Sequence, residues 1–463
     1  MASWITRKSR SAKSYFLSAW SSYPKGFMIL ILAAWGIPAL YTLANTFYIG
    51  KMEMEAIAIS EQYENVSVIL EILLETFPLA VLALVAWNMT NEENVSRIVR
   101  SAIIMQLTIT IAFMALILIG ANLFVETINT PADIRERTVE FLRIKAIAIP
   151  FESLGLLFIV SIKAMRRGWL AVGIAGLGVL VNFSLDSMVI STYSFSLRFG
   201  LIGSAWDYVV SKIIIFVVAG WAFYTVAKAR PSARLDSKES KAILRIGKYT
   251  GLESGVRNAG YILGMLIVLN TLGTAEYGGY GVAMTILWLI FLIPVLALGE
   301  ATNVAIGNEY GRNSLIGVKR VQIVSFILMS SYMAVALVIG LIAWEPLSSF
   351  FNKDASIVKW SVSTFNFLAI PYFFFAVSSA LKSLFIGTGR TLYYLIPSAA
   401  VNLGIYIPLG LFVKAGWYTP VFSEVMGISF LVFVSDAAIS AVLVWNLYQR
   451  LQSERNRGIL WNP

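Results

Sequence analysis

Apolar runs of about twenty residues, separated by short charged or turn-rich segments, repeat along the whole chain. Twenty residues of helix rise about 30 Å, the thickness of a bilayer's hydrocarbon core. Twelve such runs are present, at 26–49, 65–87, 99–124, 141–163, 169–192, 200–227, 246–272, 278–304, 321–344, 358–384, 391–413 and 421–447. Backbone groups in lipid must pair within their own segment, so runs of this kind are helices. The pattern therefore predicts an all-α integral membrane protein with twelve transmembrane helices.

Charge sets the direction of threading. Basic residues concentrate in alternate connections, as the positive-inside rule requires, and this places both termini in the cytoplasm of a multi-pass cell-membrane protein. The longest basic connection carries Lys228, Arg230, Arg234, Lys238, Lys241, Arg245 and Lys248. It lies between runs six and seven and predicts two halves: a six-helix bundle over 1–227, a linker over 228–245, a second bundle over 246–450 and a tail over 451–463.

The halves repeat. Ala148-Ile149-Pro150-Phe151 returns as Ala369-Ile370-Pro371-Tyr372, Val181-Asn182 as Val401-Asn402, and Asn91-Glu92 as Asn308-Glu309. Six helices bring the chain back to its starting side. The repeats then share one topology, and the expected relation is a pseudo-two-fold axis along the membrane normal. Such halves imply a secondary transporter with a substrate path between them.

Composition narrows the chemistry. The chain is 58% hydrophobic and only 13% charged, against about 25% charged in soluble proteins. Cys and His are absent, which removes disulfides, thiol nucleophiles, imidazole bases and the usual zinc sites. The net charge of +10 is read as topology rather than nucleic-acid binding. No nucleotide-binding loop appears, so coupling to ATP within this chain is not expected, nor is any cofactor.

Two twelve-helix families share this plan. The loop after run two reads Asn88-Met89-Thr90-Asn91-Glu92-Glu93 and lacks the basic motif of major facilitators. The chain instead resembles the multidrug and toxic compound extrusion (MATE) family, within the superfamily that includes lipid-linked oligosaccharide flippases. The likeness is carried by Lys163-Ala164-Met165-Arg166-Arg167-Gly168, by Asn182-x-x-x-Asp186, by the Gly-rich start Gly200-Leu201-Ile202-Gly203 and by Leu40-Tyr41-Thr42-Leu43-Ala44-Asn45-Thr46. The chain departs from the family at Asn45, where an acid is usual, and at Arg257, where many bacterial members carry Glu.

Ionisable groups inside a bilayer cost at least about 2.5 kcal/mol each and mark function by default. Asp186, Asn182, Asp207 and Asn45 fall at similar depth in the first half and form a candidate proton or cation site, with Na+ or H+ as the coupling ion. Helix bridging by hydrogen bonds is the competing reading for Asn182 and Asp186, and the favoured one for Asn45 taken alone. Glu75, Glu152, Glu253 and Arg257 are further candidates for a cavity or relay. Lys212 is a candidate to offset Asp207, Lys382 is read as snorkelling, and Asp436 has no evident partner. The expected function is gradient-driven export of small amphipathic or cationic compounds by a monomer. A flippase for a lipid-linked precursor is the alternative, and an intramembrane enzyme a remoter one.

Overall fold

The computed structural model describes residues 20, 23–49, 54–127, 134–190, 196–227, 237–269, 271–272, 274–352 and 354–457. Among them every regular element is helical. The helices are α1 (Lys25–Ile49), α2 (Met54–Trp87), α3 (Glu92–Thr127), α4 (Arg135–Ala146), α5 (Ile149–Ala164), α6 (Gly168–Val189), α7 (Gly200–Ala227), α8 (Ser237–Gly260), α9 (Ile267–Leu269), α10 (Thr274–Ile286), α11 (Ile293–Gly311), α12 (Leu315–Phe351), α13 (Ala355–Gly387), α14 (Leu392–Val401), α15 (Ile407–Lys414) and α16 (Phe422–Asn456). Three π-helical turns, Tyr261–Leu266, Leu287–Leu292 and Asn402–Tyr406, join α8 to α9, α10 to α11 and α14 to α15. With each broken pair counted as one span, the twelve apolar runs become twelve helical spans.

Prolines place three of the four breaks. Pro150 has no N–H for the carbonyl of Ala146, so α4 ends there and the chain bends by 40° into α5. The turns ending at Leu292 and Tyr406 each lie just before a proline, Pro294 and Pro408. A π turn takes up the residue whose ordinary helical bond the ring prevents. The carbonyl of Ile290, four residues before Pro294, accepts a hydrogen bond from the Tyr332 hydroxyl on α12 instead.

By contact the chain divides into Leu30–Ser254 and a second unit of Met1–Ile29 with Gly255–Pro463. The division falls inside α8, past the basic connection where the sequence suggests it. The first turns of α8 stay with the first unit because Gly247 and Gly251 lie directly against Thr76 of α2, and Thr250 Oγ1 donates to the Thr76 carbonyl at 3.2 Å. The described residues before Leu30 join the second unit: Tyr23, 4% exposed, shares a hydrogen bond with Thr302 of α11 at 3.4 Å.

Each unit is built round the helix that carries the Ala-Ile-Pro repeat. In the first, α5 packs on α2, α3, α6 and α7. In the second, α13 packs on α10, α11, α12 and α16. The small residues of α5 admit close neighbours, and a Cβ at Gly155 would meet the Phe216 backbone of α7 at 3.5 Å. Outward faces are strongly apolar; Ile119 and Ile342 are each 82% exposed, as a lipid solvent allows.

Candidate functional site

The connection between α6 and α7 sets the first candidate site. Leu197 N donates to Met188 O at 2.8 Å and Phe199 N to Val189 O at 2.9 Å, which folds the chain back along the end of α6. Gly200 then turns with φ +59°, and α7 begins. One turn on, Gly203 lies so close to α6 that a Cβ would meet Val189 Cγ1 at 2.7 Å. Asp207 is four residues past Gly203 and Asp186 three before Val189, so both lie on the facing surfaces. Their carboxyl groups face each other between the two helices, close enough to interact. Asp186 is 2% exposed and Asp207 5%. Asp207 Oδ1 is buried with no hydrogen-bond partner among the described residues.

The expected quartet is thus represented by its two acids. Asn182 lies one turn back from Asp186 on α6 and is half-buried. The Asn45 side chain lies outside the described residues. Lys212 does not serve Asp207. It points from α7 to α5, where its Nζ donates to Glu152 Oε1 at 2.5 Å, and the Tyr208 hydroxyl donates to Glu152 Oε2 at 2.8 Å. The helix geometry explains the correction: positions 207 and 208 are about 100° apart round the axis, so one faces α6 and the next faces α5. Lys145 belongs to α4. Its ammonium sits 4.0 Å from the ring centre of Tyr63 and 4.6 Å from that of Tyr208.

The remaining candidates are dispersed. Glu75 is half-buried on α2. Glu253 is 3% exposed on α8 and Arg257 follows it one turn later, half-buried. In the second unit Lys382 of α13 does not snorkel. It donates to Asp436 Oδ1 of α16 at 2.7 Å, and Ser378 donates to Asp436 Oδ2. On the turn Leu287–Leu292, Phe291 is buried against Trp344 and Phe365, themselves stacked at 3.9 Å, while Trp288 is 49% exposed. No cluster of three or more metal-ligating acids occurs among the described residues.

Residues 252–412 match the MatE family profile. The chain is 26% identical over 276 residues to the probable multidrug resistance protein NorM of Thermotoga maritima, covering 57% of each protein. It is 23% identical over 289 residues to the NorM of Xylella fastidiosa strain 9a5c, covering 61% of this chain and 60% of that one. The chain is similar to the MATE transporters over these stretches. These curated MATE relatives are matched over somewhat more than half their length. The fold extends the likeness to nearly the whole chain. A MOP superfamily transporter from Pyrococcus furiosus superposes with a TM-score of 0.81 over 93% of this chain and 95% of that one, at 15% identity. The Vibrio cholerae MATE transporter VcmN, in a mutant form, superposes with a TM-score of 0.82 over 98% and 100%, at 12% identity. The twelve-helix architecture is therefore the MATE fold, in a multi-pass membrane protein.

Proposed function

We propose that this chain is a secondary active exporter that extrudes small amphipathic or cationic compounds from the cytoplasm by alternating access, driven by a proton or sodium gradient. The observation that carries the reading is the contact of Asp186 with Asp207 between α6 and α7. Two carboxylates in contact cannot both stay ionised away from water, so the pair holds a shared proton or a cation between its oxygens. Taking up or losing that positive charge alters the attraction between two helices that meet at Gly203. An ion shifts the equilibrium between two conformations when it binds one of them better. The names of the curated relatives support small-molecule cargo. On this reading the protein works as a monomer in the cell membrane, with both termini in the cytoplasm.

The test is transport in proteoliposomes under separately imposed proton and sodium gradients, with ethidium as a fluorescent cationic cargo. Asp186→Asn and Asp207→Asn should each abolish gradient-driven transport while the protein stays folded and monodisperse. Undiminished transport in both variants rejects the site.

A second reading, flipping of a lipid-linked precursor, draws on Lys145 and Lys212, which stand together beside Glu152 in the same unit as the acid pair. Ammonium groups suit a phosphate. The Pyrococcus furiosus relative is described as having a binding pocket of reversed polarity, suggesting a different function for that protein. Translocation of a fluorescent polyprenyl phosphate, with no transport of ethidium, would favour this reading over export.

A further inference from the structure

The second unit holds a buried ion pair that the transport reading does not use. On α13, Ser378 and Lys382 are one turn apart; on α16, Asp436 and Ser440 are one turn apart. The two pairs face each other. Lys382 Nζ donates to Asp436 Oδ1 at 2.7 Å, Ser378 donates to Asp436 Oδ2, and Ser378 and Ser440 share a hydrogen bond at 3.4 Å. Ser378, Ser440 and Asp436 are 2%, 0% and 8% exposed. The Tyr394 ring lies 5.8 Å from the ammonium. Asp436 thus holds the ammonium on one oxygen and the Ser378 hydroxyl on the other, with Ser440 hydrogen-bonded to Ser378, within the membrane-spanning part of the chain. Oxygen ligands of this kind suit a hard cation, and an ammonium has the charge of a monovalent metal ion and a size close to that of potassium.

A plain brace between two helices does not need this chemistry. Burying two ions costs several kcal/mol each before their attraction offsets it, whereas serine hydroxyls or amides bridge helices with little desolvation. The same solution also appears in the first unit, on the equivalent pair of spans. There Glu152 of α5 holds Lys212 of α7, with acid and base exchanged between the two helices. What recurs is a carboxylate neutralised by a lysine across that helix pair, not a particular residue at a particular turn.

We infer that Lys382 is a tethered cation: its ammonium fills a monovalent-cation site made by Asp436, Ser378 and Ser440, and so keeps a dissociable ion out of the second unit. The lysine supplies the charge permanently, and any ion exchanged with solution binds elsewhere. This inference is independent of the role given to Asp186 and Asp207, and its test reads binding rather than transport.

The test uses the full chain, purified in a neutral detergent. Equilibrium binding of radioactive sodium and rubidium is measured for the wild type, for Lys382→Ala and for Lys382→Ala/Asp436→Asn. Melting temperature is followed in sodium, potassium and choline chlorides at equal ionic strength. Lys382→Ala should bind one more sodium or rubidium ion per chain than the wild type. Its melting temperature should rise with that ion and not with choline, because a ligand of the folded state stabilises it. The double variant should show neither gain. A folded Lys382→Ala protein with no added ion overturns the inference, as does a gain that survives in the double variant. Should the alanine variant not withstand purification in any salt, Lys382→Met is titrated in its place. Its thioether fills the stem's volume without supplying charge, and the absence of a cation response there likewise overturns the inference.

Discussion

At the scale of single residues, the ionisable groups sort by partner. Glu152 is held on both oxygens, by Lys212 and Tyr208, and its side chain keeps 17% of its surface while that of Lys212 keeps 24%. Removing one member of such a pair leaves the other charged and poorly solvated, which costs about 3 kcal/mol at the lower end for a pair not wholly buried. Glu152→Gln or Lys212→Met alone should therefore lower the melting temperature, and combining them should recover most of the loss. A double-mutant cycle on purified protein checks this; additive losses would show that the pair contributes nothing. The sequence displays neighbours four apart on one helix, so Asn182 with Asp186 could be read directly. It does not display partners such as Lys382 and Asp436, 54 residues apart, or Lys212 and Glu152, 60 apart. Those depend on the rotation of one helix against the next, which small-residue contacts such as Gly203 against Val189 fix only in three dimensions.

At the scale of elements, two of the π turns, Tyr261–Leu266 and Asn402–Tyr406, lie where their helices approach closely. The backbone around Leu263 and Gly264 lies against that of Tyr406 and Gly410. A Cβ on Gly410 would stand 1.9 Å from the Leu263 carbonyl oxygen, and one on Gly264 would stand 2.5 Å from that of Tyr406. Neither obstacle is a flexible side chain, so the backbones themselves would have to separate. Gly404, on the same stretch, has nothing within 4 Å of its would-be Cβ. Gly410→Ala should destabilise by about 1–3 kcal/mol, the usual cost of overpacking, and Gly404→Ala should be close to neutral. Thermal unfolding of the two variants side by side tests this, and equal melting temperatures would refute it. The existence of twelve spans was legible in the sequence because lipid imposes a length and an apolar composition on each. The breaks were less so: Pro150 bends its span, whereas Pro371, its repeat partner, lies inside an unbroken α13. The same residue at the same place in the repeat has two outcomes, decided by what packs round it.

At the scale of the molecule, the repeat is more visible in packing than in sequence. Three short matches announced it, but the equivalence of α5 and α13 as the central helix of each unit appears only from their neighbours. The division by contact differs from the basic linker for a related reason. Charge marks where the chain leaves the membrane, while compactness is decided by contacts, and those of Gly247, Thr250 and Gly251 with Thr76 keep the start of α8 with the first unit. A fragment spanning 30–254 should therefore run as a single species in detergent and resist trypsin better than one spanning 30–227. Equal protease sensitivity of the two would argue that the α8 contacts add no stability to that unit.

The hydrogen bond between Tyr23 and Thr302 has a consequence for biosynthesis. Its partners are separated by 279 residues, so the segment made first must wait for much of the remaining chain before its binding partner exists. During that interval the leading segment cannot take up its final place, and Leu30–Ser254 is synthesised in full before Thr302 emerges. The beginning of this chain is thus fastened to its latter half by a late clasp, which can close only once translation has passed Thr302.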